Sequence, residues 1–296
     1  MIPEQFKISS ATHEEVFDGI KEKVFLKAKP VFVPVALIVG AQPGSGKTNL
    51  IKASLEEFGN NCVVVNGDDY RESHPYYDDI ACYDDKKIAE YTETDVRDWT
   101  SRLLSHSINN SYNTILEITL RLPGPISATL EKLGGLGYAS HLKILAVKKE
   151  YSTLGIHERY EFQKERNGYG RWTAQESHDA SYVSMPQTIE VLEKLPFLSS
   201  VSIFDRDNAV LYENSRLLGG NWKLPAGSAS RAIQMFREAP LSAEQKVDLE
   251  KSWEDLLHKK MNRKAPAEEI EMVRVILKSL SKPKVEASSS FRPGMR

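Results

Sequence analysis

The chain has 296 residues, of which 41% are hydrophobic and 27% charged, as in an ordinary globular protein that needs no metal or disulfide to fold. A formal charge of −2 argues against partners held by bulk charge, so we expect neither nucleic acid nor membrane among its partners. Cys62 and Cys82 form no CxxC pair, and the longest mainly apolar stretch, Val31 to Ala41, is too short to span a bilayer. We expect a cytoplasmic protein.

The predicted elements begin with a helix after Thr12, because Thr12 and Glu15 match a capping box. Short apolar, β-branched segments then recur, as expected for strands covered on both faces. The predicted strands are Val35–Val39, Cys62–Val65, Thr114–Ile118, Leu142–Val147 and Val201–Phe204. Helical stretches separate them, and this alternation predicts an α/β fold, with helices on both faces of a five-stranded parallel sheet.

The pattern changes after about residue 215, where Gly219-Gly220 indicates a loop. Three further helices are predicted, over Ser228–Arg237, Ala243–Lys260 and Ala267–Leu280. Residues 281–296 carry no periodic apolar face and are predicted to be mobile. We therefore divide the chain into an α/β core at 1–215, a helical appendage at 216–280 and a tail at 281–296.

The strongest functional signal is the segment from Gly40 to Thr48, which reads GAQPGSGKT and lies between a predicted strand and a predicted helix. That context is typical of a P-loop, whose backbone N–H groups wrap a polyphosphate. The residues expected to bind the nucleotide are Gly44, Ser45, Gly46, Lys47 and Thr48. Lys47 is expected to reach the β- and γ-phosphates, and the Thr48 hydroxyl is expected to hold Mg²⁺.

P-loop proteins differ in the group that receives the phosphoryl group. The chain has no N-K-x-D motif, which disfavours a GTPase, and no apolar strand that ends in Asp-Glu, which disfavours the usual ATPase arrangement. The third predicted strand runs instead into Leu116–Arg121, which reads LEITLR. A kinase fits this core better; we expect ATP as the donor, and GTP is not excluded.

Two acidic residues, Asp68 and Asp69, follow the second predicted strand, at the end where open α/β sheets bind ligands. An aspartate there can accept the proton of an acceptor hydroxyl during phosphoryl transfer. The alternative is that one of the pair only caps a helix. Spacing alone does not choose between the two aspartates or the two roles.

An ordered set of segments between residues 20 and 215 is more specific than the loop alone. After the loop it comprises Gly67–Arg71 with His74-Pro75, Tyr112-Asn113, Leu116–Arg121, Gly137-Tyr138, Ala146-Val147, His157–Glu161, Arg171, His178-Asp179 and Phe204–Arg206. In this order and spacing, the chain resembles the zeta toxins of bacterial toxin–antitoxin systems. Those P-loop kinases phosphorylate the 3′-hydroxyl of the amino sugar in UDP-N-acetylglucosamine. The resemblance implies a UDP-sugar as acceptor and a cognate antitoxin protein as partner.

The resemblance also implies catalytic roles for individual residues. It makes Asp68 the general base, with Asp69 beside it on the acceptor side. Lys47 keeps its P-loop role. Arg159 and Arg171 would reach the phosphates from a lid, where an arginine can stabilise charge on the transferring phosphoryl oxygens and help to exclude water.

On the acceptor side, the resemblance implies that Glu117, Thr119 and Arg121 line the sugar nucleotide. The family usually carries a glutamate on the preceding helix, where Ser101 stands here, and Asp98 could replace it from about one turn earlier. Two rival functions remain, and this departure keeps the first of them open. One is a P-loop kinase for another small hydroxyl acceptor, and the other is a nucleotide-dependent binding module.

Overall fold

The structure, a computed structural model, describes residues 2–280, so the tail predicted at 281–296 lies outside the described residues. The chain forms two compact units, divided between Ala239 and Pro240. Along residues 2–280, no helix combines the length and the apolar character that a bilayer crossing requires.

The first unit is built on a six-stranded sheet in the order β2-β3-β1-β4-β5-β6. Its strands are β1 (Val35–Gly40), β2 (Val63–Val65), β3 (Thr114–Ile118), β4 (Ala139–Leu145), β5 (Leu198–Phe204) and β6 (Val210–Ser215). The first five are parallel, which confirms the predicted α/β sheet. The sixth strand runs antiparallel to β5 and was not predicted. Half of its residues are exposed, so it lacks the apolar run that marks a buried strand.

Helices flank the sheet in the first unit. They are α1 (Ser10–Phe25), α2 (Lys47–Glu57), α3 (Gly67–Tyr70), α4 (Tyr77–Asp84), α5 (Ile88–Asn109), α6 (Pro123–Gly135), α7 (Lys149–Asn167), α8 (Gln175–Glu193) and α9 (Ser228–Glu238). The capping box predicted at Thr12 is wrong, because α1 begins earlier and Ser9 caps it by accepting a hydrogen bond from the Thr12 N–H.

The central strand β1 positions the candidate site. Leu37, Ile38 and Val39 are almost completely buried, which explains their unbroken apolar run. Since β1, β2 and β3 are parallel, their carboxyl ends meet at one edge of the sheet. Val39 lies level with Glu117 of β3, so the segment after β1 begins beside that carboxylate.

The predicted boundary at residue 215 falls earlier than the division between the two units. Helix α9 packs against α8, β5 and β6, and therefore belongs with the sheet. The second unit contains α10 (Ala243–Asn262) and α11 (Ala267–Leu280), and its core includes Trp253 and Val273. Ser242 and Gln245 form the predicted capping box at the start of α10.

Candidate active site

The segment between β1 and α2 has the backbone that a phosphate loop needs. Gly44 and Gly46 have φ values of +75° and +89°, which residues with a side chain rarely adopt. A methyl group on Gly44 would also lie 2.1 Å from the carbonyl oxygen of Ser152. Helix α2 begins at Lys47, so the N–H groups of its first turn are available at the end of the loop.

Lys47 and Ser45 present polar groups at this loop. The Lys47 ammonium donates to the carbonyl oxygen of Ala41 at 3.2 Å and lies 3.4 Å from Glu117 Oε1. Burial lowers the pKa of Lys47, although the nearby negative charge of Glu117 opposes this change. The Ser45 hydroxyl is buried and has no hydrogen-bond partner among residues 2–280. The exposed Thr48 follows at the start of α2. This donor set fits a polyphosphate, and the Thr48 hydroxyl fits a phosphate-bound Mg²⁺.

The two aspartates after β2 lie in the short helix α3, and neither one caps it. The cap is Asn66, whose Oδ1 accepts from the Asp68 N–H at 3.1 Å. The Asp68 carboxylate accepts from Arg71 Nε at 3.1 Å and lies 3.6 Å from Arg171 Nη2. The carboxylate of Asp68 is therefore held by two guanidinium groups.

The electrostatic surroundings shift the pKa values of the two aspartates in opposite directions. Burial tends to raise the pKa of Asp68, but the positive charges of Arg171 and Arg71 outweigh it, and the pKa is lowered. The pKa of Asp69 is raised instead, by burial and by the negative charge of Glu117. Asp68 is thus a fixed carboxylate that stays ionised at neutral pH.

Arg159 and Arg171 approach the same place from α7 and from the segment after it. Arg159 donates to the Thr173 hydroxyl, and Arg171 donates to the Asp68 carbonyl oxygen at 3.3 Å. Burial and the nearby Arg171 lower the pKa of Arg159 to about 10, so Arg159 keeps its charge at neutral pH. The Nε atoms of both arginines are buried with no acceptor in the described part of the chain, as expected for donors that serve an anionic ligand.

Sequence reasoning gave no role to two arginines of the site. Arg71 is 9% exposed and donates to Asp68, Thr92 and Glu93, so it anchors α3 to α5. Arg206, after β5, would lie 3.9 Å from a methyl group on Gly46. Their only sequence signal was their place within segments that resemble the family.

Most of the residues predicted for the acceptor side are more exposed than Lys47, Arg159 and Arg171. Thr119 and Arg121 are exposed after β3, and Ser101 is exposed on α5. Asp98 lies 3.6 Å from His13 Nε2 of α1 and 3.5 Å from Arg102 Nη1, so its carboxylate contacts groups on α1 and α5.

The face of α5 that meets α3 carries Thr100, which sequence reasoning missed. A methyl group on Gly67 would lie 2.9 Å from its hydroxyl oxygen. Thr100 lies one turn after the buried Val96, so both residues share one face of α5. This helical spacing could have identified Thr100 from the sequence.

Comparison with known proteins agrees with this geometry. The profile of the zeta toxin family matches residues 12–216. The Toxin zeta of Streptococcus pyogenes is 30% identical over 198 residues, which cover 67% of this chain and 69% of that protein.

Solved structures show the same fold. A structure from the PezAT chromosomal toxin–antitoxin system of Streptococcus pneumoniae superposes with a TM-score of 0.73 at 24% identity, covering 85% of this chain and 99% of the other. The AvrRxo1-ORF1:-ORF2 complex with ATP superposes with a TM-score of 0.54 at 14% identity, covering 92% and 85% of the two chains.

Proposed function

The chain belongs to the zeta toxin family, and from that premise we propose that it transfers the γ-phosphoryl group of ATP to a UDP-activated amino sugar. The proposed acceptor is the 3′-hydroxyl of UDP-N-acetylglucosamine or of a related UDP-sugar. The observation that carries this proposal is that an ionised, fixed Asp68 lies beside Arg171, at the sheet edge that also carries the phosphate loop. A nucleotide switch would need no such acceptor base.

On the donor side, the loop and the first turn of α2 would bind the phosphates, with Ser45 and Lys47 as side-chain donors. Thr48 would hold Mg²⁺, which, when bound, neutralises charge on the β- and γ-phosphates. A protein of the same fold has been solved with ATP, which supports ATP as the nucleotide, and GTP is the alternative donor.

On the acceptor side, Asp68 would orient the sugar hydroxyl and accept its proton as the new oxygen–phosphorus bond forms and the bond to ADP breaks. A carboxylate with a lowered pKa is a weak base, so its main contribution would be to orient the hydroxyl. Arg159 and Arg171 would stabilise the charge on the transferring oxygens. Asp69, Glu117, Thr119, Arg121 and Ser101 are the proposed contacts to the sugar nucleotide.

The test is to incubate the purified protein with Mg²⁺, ATP and a panel of UDP-sugars, and to search each by mass spectrometry for the gain of one phosphoryl group. We expect that gain on an N-acetylated UDP-sugar, and none with Lys47→Ala. Phosphorylation of a different small hydroxyl compound, with no UDP-sugar modified, would favour the rival kinase. ATP binding without any transfer would favour the binding module.

We also propose that this activity is toxic and that a cognate antitoxin protein restrains it. The support is family membership and the similarity to a solved toxin–antitoxin system. Production of the chain alone should arrest bacterial growth, and production of the Lys47→Ala variant should not. Equal toxicity of the two proteins would remove phosphoryl transfer from the explanation.

A further inference from the structure

Helix α9 lies beyond residues 12–216, the segment that matches the family profile, and yet it reaches the phosphate loop. The contact is made by Arg237, in the last turn of α9. Its Nη2 donates to Gln42 Oε1 at 3.1 Å, and its Nη1 donates to the Tyr182 carbonyl oxygen at 2.7 Å. The guanidinium group also lies 3.8 Å from the centre of the Tyr182 ring. Arg237 therefore joins α8 to the loop.

Gln42 is the buried anchor of the phosphate loop. Its side chain is completely buried, and its amide nitrogen donates to the Val147 carbonyl oxygen at 2.9 Å and to Ser152 Oγ at 3.1 Å. With Arg237 on its oxygen, both ends of the amide are engaged. The backbone carbonyl oxygen of Gln42 lies 3.5 Å from Lys47 Nζ. A displacement of Gln42 would therefore move a group that orients Lys47.

The end of α9 that carries Arg237 is itself fixed. Lys148, which is 8% exposed, donates from Nζ to the carbonyl oxygens of Phe236 at 2.7 Å and Arg237 at 3.4 Å, and also to that of Ala239. An ammonium there satisfies the free carbonyls at the helix end and complements the helix dipole. Burial lowers the pKa of Arg237 to about 10, so the group is still charged at neutral pH. A charged donor thus reaches the loop from a fixed position.

We propose that Arg237 is a positioning residue for the phosphoryl donor. Arg237 acts through Gln42 and holds the phosphate loop in the conformation that binds ATP. The inference rests on the proposed binding of ATP at this loop. A charge-assisted hydrogen bond to a buried amide is stronger than a neutral one, and a loop ordered before binding loses less entropy when the nucleotide arrives. The alternative is that Arg237 only pins α9 to α8 and has no effect on the loop.

The test uses the full chain with Arg237→Met, which keeps the apolar stem and removes the donors. Arg231→Met, an exposed position on the same helix, is the matched control. The first measurement is amide hydrogen exchange of the phosphate-loop peptide without ligand, and we expect faster exchange only in Arg237→Met. The second is calorimetric ATP binding, which should weaken by about tenfold in that variant, as for the loss of one charged hydrogen bond. The KM for the sugar nucleotide should stay unchanged.

A double-mutant cycle separates action through Gln42 from general stability. If Arg237 acts through Gln42, adding Arg237→Met to Gln42→Met should weaken ATP binding by no more than about twofold. Loop exchange and ATP affinity equal to wild type in Arg237→Met, with only a lower melting temperature, would overturn the proposal. Additive losses in the cycle would also overturn it.

Two safeguards keep the test decisive. If Arg237→Met does not fold, Gln42→Met replaces it; that variant lacks the acceptor for Arg237, so wild-type loop exchange in it would contradict the proposal. If the wild-type protein binds no ATP, the proposed function fails, and the ligand-free exchange measurement still decides whether Arg237 orders the loop.

Discussion

On the proposed donor side of the candidate active site, carboxylates hold the cationic groups: Lys47 lies 3.4 Å from Glu117, and Arg171 lies 3.6 Å from Asp68. On the acceptor side, Thr119 and Arg121 are exposed at the end of the sheet. Most donor-side groups follow the ends of buried parallel strands, so the backbone brings them together before any ligand binds. Thr119 and Arg121 therefore project from surface positions that the buried core constrains less.

Substitutions on the two sides are therefore expected to have different effects on catalysis. Changes to the donor side or to the proposed base, Asp68, should reduce phosphoryl transfer to every acceptor, because they alter the groups nearest the reacting atoms. Acceptor-side changes should alter the choice between acceptors and leave transfer itself largely intact.

Replacing the proposed base should have the largest effect. Asp68→Asn keeps the shape of the side chain but removes the carboxylate charge that would orient the acceptor hydroxyl and take its proton, so we expect ATP binding to persist and the transfer rate to fall by about 10²–10⁴-fold. Steady-state kinetics together with calorimetric ATP binding measures both quantities. Asp69→Asn is the control and should retain most activity. An inactive Asp69→Asn beside an active Asp68→Asn would reverse the assignment.

Arg171→Met should lower the rate and also change its dependence on pH. The positive charge of Arg171 is the leading cause that keeps the pKa of Asp68 below its ordinary value of 3.8. Asp68 works when ionised, so activity is lost as pH falls through its pKa; without Arg171 that loss should begin at higher pH. We expect a rate about 10²-fold lower at neutral pH, as for the removal of one charge-stabilising donor. An acid limb of kcat/KM that does not move would show that Arg171 does not act on Asp68.

The acceptor side should discriminate weakly between epimers. Ser101 stands where the resemblance implies a glutamate, and a serine hydroxyl makes weaker bonds to a sugar than a carboxylate does. We expect kcat/KM for UDP-N-acetylglucosamine and UDP-N-acetylgalactosamine to agree within about tenfold, or roughly 1.4 kcal/mol of transition-state free energy. Kinetics on both sugars decides the matter. A preference of several hundredfold would mean that another residue, such as Thr100, selects the sugar.

Asp98→Asn should have the smallest effect. Asp98 lies near His13 and Arg102, and its side chain is 52% exposed. An exposed ion pair contributes about 0–1 kcal/mol, so we expect little change in the free energy of unfolding and none in the epimer ratio. Thermal unfolding and the same two-sugar kinetics measure these quantities. A clear shift in the epimer ratio would place Asp98 at the acceptor after all.

The sequence by itself determined the central architecture, the phosphate loop and the position of the two aspartates after β2. Strands buried on both faces must be apolar at consecutive positions, so β1 and β2 were visible as unbroken apolar runs. The phosphate loop was visible because its backbone requires glycine at positions such as Gly44 and Gly46. The pair Asp68-Asp69 was visible because it directly follows a strand. Each of these signals lies within a few residues, so local sequence can carry it.

The tertiary structure decided the features whose partners are distant in sequence. The half-exposed strand β6 forms because β5 offers it an edge, and that edge leaves no local pattern. The contacts of Asp98 depend on His13 of α1. The opposite pKa shifts of Asp68 and Asp69 depend on Arg171, which lies 3.6 Å from Asp68. The contact between Gln42 and Arg237 joins residues that are 195 positions apart in the sequence. Such contacts depend on how the elements pack in three dimensions, and no local sequence pattern records that packing.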